Sequence, residues 1–217
     1  MTAPTRIMLV DDHAMVRQAL AASLRGAGVV VEAEAGDAGS AMEMALRLKP
    51  DIVLMDIDMP GMICFDAART MLAALPQTRL VMLSAFSHDH YISQALSVRA
   101  RGYVTKRAGV AEVLEAVRAV AAGGTYFSPE VEARLILGDD GVRLDGADAT
   151  RASTLTAREL EVLRYIARGL AKKEIARTMY LSVKTIENYT ARLMDKLDIH
   201  DRVELTRYAI REGLAEA

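Results

Sequence analysis

The first 125 residues alternate short apolar runs with amphipathic stretches. The runs are Ile7–Val10, Val29–Val31, Ile52–Met55, Leu80–Leu83 and Gly102–Val104, each bounded by turn or polar residues. Between them the apolar positions recur with helical spacing. Val16, Ala19, Leu20 and Leu24 share one helix face, and Val110, Val113, Leu114, Val117 and Val120 share another. Strands that are apolar throughout and alternate with helices predict a parallel sheet covered on both faces. The expected fold of this part is a flavodoxin-like, doubly wound (βα)5 α/β domain with strand order 2-1-3-4-5.

Ser128-Pro129-Glu130 predicts a helix start, with that helix ending near Gly138. Residues 138–153 are rich in Gly, Asp and Ala without periodicity, which predicts a linker. From Thr154 onward the pattern is purely helical. Thr156-Ala-Arg-Glu159 is a capping box ahead of Leu160, Leu163 and Ile166, and Gly169 ends that helix. A short second helix carries Ile175, Ala176 and Met179. Leu181-Ser182 then turns into a third helix with Ile186, Leu193 and Leu197 inward, and a fourth helix runs from about Arg202 to Glu212. The division read from these patterns is 1–125 for the α/β domain, 126–152 for a helix and linker, and 153–217 for a small all-α four-helix domain of helix-turn-helix type.

Composition narrows the picture. Of 217 residues 52% are hydrophobic, which argues against a disordered chain. Cys64 is the single cysteine, so no internal disulfide forms and a reducing, cytoplasmic setting is expected. No apolar stretch approaches the roughly 20 residues of a membrane helix, and the start of the chain does not have the pattern of a signal peptide. Charge is uneven: residues 1–150 hold 14 Lys and Arg against 19 Asp and Glu, while residues 151–217 hold 13 against 10. That mild polarity permits a nucleic-acid partner for the second part.

In doubly wound sheets, ligands sit at the carboxyl ends of the strands. Asp11 and Asp12 follow the first predicted strand, Asp56 ends the third, Ser84 ends the fourth, and Thr105 and Lys106 follow the fifth. Three carboxylates held together repel unless a cation or proton neutralises them. Oxygen ligands of this kind suit Mg²⁺, with Mn²⁺ as a substitute, and Mg²⁺ often shares its shell with a phosphate. A carboxylate at such a site can act as nucleophile and form an acyl phosphate, with Ser84 and Lys106 contacting the phosphoryl oxygens.

Asp11-Asp12, Asp56-Ile-Asp-Met-Pro-Gly61, Ser84-Ala85 and Gly102-Tyr103-Val-Thr-Lys106 resemble the receiver domain of two-component response regulators over roughly residues 5–125. The resemblance implies that Asp56 accepts a phosphoryl group from a histidine kinase. It implies that Asp12 and Asp56 ligate Mg²⁺ directly, that Asp11 acts through water, and that the backbone carbonyl of Asp58 joins them. Ser84 and Lys106 would engage the phosphoryl group, and Ser84 with Tyr103 would form a switch pair. The chain departs from the family pattern at Ile63-Cys64, where a polar residue and glycine are usual, and at Arg107, where proline is common. His13, His88, His90 and His200 are scattered, and Cys64 reads as a packed apolar residue.

Residues 153–214 resemble the LuxR-type output domain of NarL/FixJ-type regulators, through Leu155-Thr-Ala-Arg-Glu-Leu-Glu-Val-Leu163, Lys173-Glu-Ile-Ala176, Leu181-Ser-Val-Lys-Thr185 and Lys196-Leu197. On the third helix Lys184 and Arg192 can reach phosphates or guanine, Asn188 can pair with adenine and Glu187 can accept from cytosine. Thr185 belongs to the same candidate set, and Lys172 and Lys173 start the second helix where DNA phosphates would pass. A homodimer on two-fold double-stranded promoter DNA is expected. The resemblance suggests Val203, Leu205 and Tyr208 as the pairing face; the same residues also suit the bundle core. The expected function is a phosphorylation-dependent transcription regulator that is not an enzyme apart from its own phosphotransfer and dephosphorylation. Two alternatives stay open. A haloacid-dehalogenase-like phosphatase would share Asp56, Asp58, Ser84 and Lys106 but needs an acidic pair downstream, where the sequence offers only Asp139-Asp140. A regulator working without phosphate would follow from the Ile63-Cys64 departure.

Overall fold

The computed structural model describes residues 4–57, 59, 64–85, 87–138, 141–144 and 154–212. The chain divides into two compact units, one holding all the strands and the other the last four helices. No helix among the described residues is long and apolar enough to cross a membrane.

The first unit is built on β1 (Arg6–Val10), β2 (Val30–Ala35), β3 (Ile52–Asp56), β4 (Arg79–Ser84), β5 (Gly102–Thr105) and β6 (Tyr126–Phe127). They form one parallel sheet in the order β2-β1-β3-β4-β5-β6. The expected doubly wound order is therefore present, with one strand added at the far edge. Every residue of β3 and β5 is buried, as a strand covered on both faces requires. Helices α1 (Ala14–Gly26), α2 (Ala38–Leu48), α3 (Cys64–Ala74), α4 (Asp89–Ser97) and α5 (Gly109–Ala121) connect them. Leu20 and Leu24 of α1 and Val113, Val117 and Val120 of α5 close one face over Ile7, Leu9, Ile52, Leu54, Val81, Leu83 and Val104. The alternate strand residues, among them Met8, Val53, Met55 and Met82, are fully buried on the other face. Each such side chain contributes roughly 1.5–3 kcal/mol by leaving water.

Three stretches differ from the reading above. β2 runs to Ala35 rather than stopping at Val31, because it is an edge strand in which polar and apolar residues alternate. Its Glu32 pairs with Arg6 at 2.6 Å and its Glu34 with Arg25 at 3.0 Å. Tyr126–Phe127 forms a sixth strand too short to carry a hydrophobic period; Tyr126 N donates to Arg101 O at 2.9 Å and Ser128 N to Tyr103 O at 2.9 Å. The helix expected from Ser128 to Gly138 is one turn, α6 (Pro129–Glu132). After it the chain extends into an antiparallel hairpin of β7 (Leu135–Gly138), in the stretch expected as helix, and β8 (Gly141–Leu144), in the stretch expected as linker. The β-branched and leucine content of these two short runs favours strands, and the Gly138–Gly141 pair closes them.

The second unit is α7 (Ala157–Ala167), α8 (Lys172–Thr178), α9 (Val183–Leu197) and α10 (Arg202–Arg211), the four helices expected. Its caps follow the sequence signals. Thr156 and Glu159 form the capping box of α7, and Ser182 Oγ accepts from Thr185 N at 3.0 Å to start α9. Ile186, Leu193 and Leu197 are fully buried, as their spacing predicted. Glu159, itself buried, pairs with Lys196 of α9 at 2.7 Å, which ties the first and third helices of the bundle. α10 packs on α7 and buries Leu205, Tyr208 and Ala209.

Candidate functional site

β1 and β3 are neighbours and stay in register to Val10↔Met55, so the residues that follow, Asp11 and Asp56, end side by side. Both are buried. Asp12 stands one residue further on. Ligand atoms of Asp11, Asp12, His13 and Asp56 all lie within 4.8 Å of one another. Lys106, just past β5, reaches this cluster with its Nζ 2.9 Å from Asp11 Oδ2 and 2.8 Å from Asp56 Oδ2. Burial alone would lower the lysine pKa, but the Asp56 carboxylate first and Asp11 second outweigh it and raise the value above the ordinary one. The ammonium is therefore a fixed cation between two buried carboxylates.

Ser84 ends β4, the strand between Asp56 and Lys106; its register partner on β5 is Thr105, and it is fully buried. Tyr103 lies two residues before Thr105 on β5 and is also fully buried. Asp11, Asp12, Asp56, Ser84, Lys106 and Tyr103 are thus brought to one end of one sheet. Asp58, Gly61 and Ile63 lie outside the described residues. Cys64 is buried at the start of α3 and its thiol donates to Ile57 O at 3.4 Å.

Supporting groups surround the cluster. His13 N donates to Asp11 Oδ1 at 2.8 Å and its Nδ1 lies 3.0 Å from Asp12 Oδ1. The Arg17 guanidinium donates to the Asp11 carbonyl. Ser128 Oγ accepts from Thr105 N at 3.0 Å and donates to Glu112, fastening the residue that precedes Lys106. Sequence reasoning grouped His13 with scattered histidines, passed over Arg17 and read Ser128 only as a helix start, whereas its hydroxyl makes no cap bond and serves Thr105 instead. The adjacency of His13 to Asp12, ahead of the α1 start, was the available signal for the first.

The oxygen donors are the carboxylates of Asp11, Asp12 and Asp56, whose negative charge exceeds the single positive charge of Lys106 in a largely buried setting. That fits a Mg²⁺ or Mn²⁺ ion, which needs oxygen ligands and supplies the missing positive charge. Among the described residues the cluster draws no acid from downstream of Lys106 and neither His88 nor His90. Asp139-Asp140 lie outside the described residues.

On the second unit, the third helix shows the expected polarity. Lys184, Asn188 and Arg192 of α9 and Lys172 and Lys173 of α8 are exposed. Thr185 is half-buried and its hydroxyl lies 2.8 Å from Ser182 Oγ, so it belongs to the helix cap. Glu187 is placed between two lysines, Oε1 3.7 Å from Lys172 Nζ and Oε2 3.6 Å from Lys184 Nζ. Tyr189 is half-buried. Of the suggested pairing residues only Val203 is exposed; Leu205 and Tyr208 fill the bundle, because α10 turns that face onto α7.

A family model for the response regulator receiver domain matches residues 7–118, and one for bacterial regulatory proteins of the luxR family matches residues 153–209. The chain is similar to the transcriptional regulatory protein LiaR of Bacillus subtilis (strain 168), with 32% identity over 210 residues, 96% of this chain and 98% of that one. It is 34% identical over 215 residues to the response regulator GacA of Pseudomonas aeruginosa, covering 98% of each chain. Among solved structures, a two-component response regulator of the LuxR family from Aurantimonas sp. SI85-9A1 shares 35% identity and a TM-score of 0.58, over 60% of this chain and 94% of that one. RcsB from Salmonella enterica serovar Typhimurium, bound to promoter P1flhDC in the presence of the phosphomimetic BeF3⁻, shares the fold at a TM-score of 0.67 and 22% identity, over 95% of this chain and 98% of that one.

Proposed function

Because this chain belongs to the response regulators that join a receiver domain to a luxR-type regulatory domain, we propose that Asp56 is its phosphoacceptor and that phosphorylation there controls promoter binding by α8 and α9. The observation that carries this reading is the meeting of Asp11, Asp12, Asp56 and Lys106 at the carboxyl ends of strands widely separated in sequence. In the proposed step an Asp56 carboxylate oxygen forms a bond to phosphorus as the bond from phosphorus to the histidine nitrogen of a kinase breaks; the released imidazole takes its proton from solvent. Asp11, Asp12 and Asp56, with the Asp58 carbonyl, would hold Mg²⁺, which supplies charge stabilisation for the phosphoryl oxygens.

Lys106 already points at the Asp56 oxygen and would pair with a phosphoryl oxygen in its place. The Ser84 hydroxyl would donate to another, and Tyr103 would pack behind it as the second half of a two-state switch. The output is contact of Lys172, Lys173, Lys184, Thr185, Glu187, Asn188 and Arg192 with double-stranded DNA. It is made by a homodimer in the cytoplasm, where kinase and promoter are both accessible. Val203 and Ile210 are the exposed apolar residues of α10, and Val203 is the one that belongs to the suggested pairing face.

The test is labelling of the full chain by a small phosphodonor with Mg²⁺, followed by measurement of DNA affinity. One phosphoryl group per chain, lost in Asp56→Asn together with the change in DNA affinity, is the expected result. Labelling that survives Asp56→Asn, or sustained turnover of a phosphate ester, would reject it.

A further inference from the structure

Glu187 is an acid on a surface otherwise suited to DNA. Lys172, at the start of α8, and Lys184, in the first turn of α9, each face a different oxygen of its carboxylate. The side chains are about half exposed or more, so both pairs are water-screened and break easily. Other nearby acids have different positions. Glu174 closes the start of α8 by accepting from Ala171 N at 2.6 Å, and Asp195 stands about two turns further along α9.

We infer that Glu187 is a specificity filter: it holds Lys172 and Lys184 off non-specific phosphates and releases them where a base amino group takes its carboxylate. This rests on the reading of α8 and α9 as the DNA face. A lysine that moves to a phosphate leaves Glu187 pressed against a polyanion. Opposite purine N7, guanine O6 or thymine O4, acceptor faces acceptor and the carboxylate is desolvated without a partner. Opposite the N4 amino group of cytosine it accepts a hydrogen bond, and both lysines are free to bind phosphate at no loss to Glu187. The other exposed polar groups of the surface, Lys173, Asn188 and Arg192, have no such penalty. The acid therefore weakens binding everywhere and least at the correct base.

The experiment is selection from a randomised 20-base-pair duplex library by the full chain and by Glu187→Gln, with affinities for the selected duplexes and for cytosine-free poly(dA-dT). Glu187→Gln is expected to bind poly(dA-dT) about five- to tenfold tighter at ~0.1 M salt and to lose a cytosine preference at one position per half-site. Glu187→Asp keeps the charge but not the reach; it should stay weak on poly(dA-dT) and lose the cytosine preference. The inference is overturned if Glu187→Gln keeps the wild-type base preference or the wild-type affinity for poly(dA-dT). Lys172→Ala and Lys184→Ala separate the two layers. Both should weaken binding to every duplex; if neither does, the DNA-face reading itself fails and the filter with it.

Discussion

Asp12→Asn should reverse its stability rank against the wild type when Mg²⁺ is added. The carboxylates of the cluster stand no more than 4.8 Å apart, which at an effective dielectric near 20 is a repulsion of about 3.5 kcal/mol per pair. Lys106, at 2.8 and 2.9 Å, attracts Asp56 and Asp11 by about 6 kcal/mol each on the same scale. Asp12 has two acidic neighbours and makes no such contact with the lysine. Its side chain is 26% exposed, so water screens part of the repulsion, and the amide also forfeits the more distant pull of Lys106. A net gain of about 1–2 kcal/mol without metal remains. With Mg²⁺ at a hundred times its Kd the wild type gains ~2.7 kcal/mol by mass action, while a site lacking one ligand gains little. Scanning calorimetry of the full chain at pH 8 provides the test. In EDTA the metal-responsive transition of the variant should lie about 3–6 °C above that of the wild type, and in Mg²⁺ below it. A variant that melts lower in EDTA, or that keeps the wild-type Mg²⁺ shift, would refute the charge reasoning.

Three further outcomes are expected. Burial alone would raise the Glu159 pKa, but the hydrogen bond from Lys196 and those from Thr156 outweigh it, so the folded value lies below the usual 4.5. Its contribution is therefore complete above about pH 4.5 and lost as pH falls through the lower folded value; Glu159→Gln should cost about 1–3 kcal/mol in urea denaturation at pH 7, shrinking below pH ~4. Gly102→Ala places a Cβ 3.0 and 3.1 Å from the Val81 methyls and 3.2 Å from Tyr126 O, so it should destabilise by about 1–3 kcal/mol and accelerate hydrogen exchange at the Tyr126 amide. Tyr180, 90% exposed at φ +54 in the turn after α8, should be replaceable by glycine with a gain of about 0.5–1 kcal/mol in thermal or urea unfolding.

The site was readable where strong patterns ended in chemistry. Apolar runs that bury both faces are unmistakable, and Asp11, Asp56, Ser84 and Lys106 each stand at the end of one. The helical unit was readable for a similar reason, since Thr156, Glu159 and Ser182 announce helix starts through their own hydrogen bonds. What escaped depends on pairing between distant segments. The Glu32 and Glu34 positions of β2 look like loop until Arg6 and Arg25 are set beside them. Tyr126–Phe127 is a strand only because β5 offers an open edge, and the leucines at 135 and 137 belong to a hairpin only through their register with β8. The spacing of Leu205 and Tyr208 fits an outward pairing face as well as a core; packing on α7 decides the matter.

Lys106 is separated from Asp11 by 95 residues along the chain, and the strand it follows, β5, is set apart from that of Asp56 by the intervening β4. During synthesis the two acidic strands emerge long before the residue that holds them together. A ribosome-bound fragment ending before β5 has β1, β3 and their carboxylates with no resident ammonium between them. Such a fragment should resist docking its first and third strands unless divalent ions are abundant, so the nascent domain stays open until its fifth strand arrives. The cluster of Asp11, Asp56 and Lys106 is then completed only once β5 has emerged.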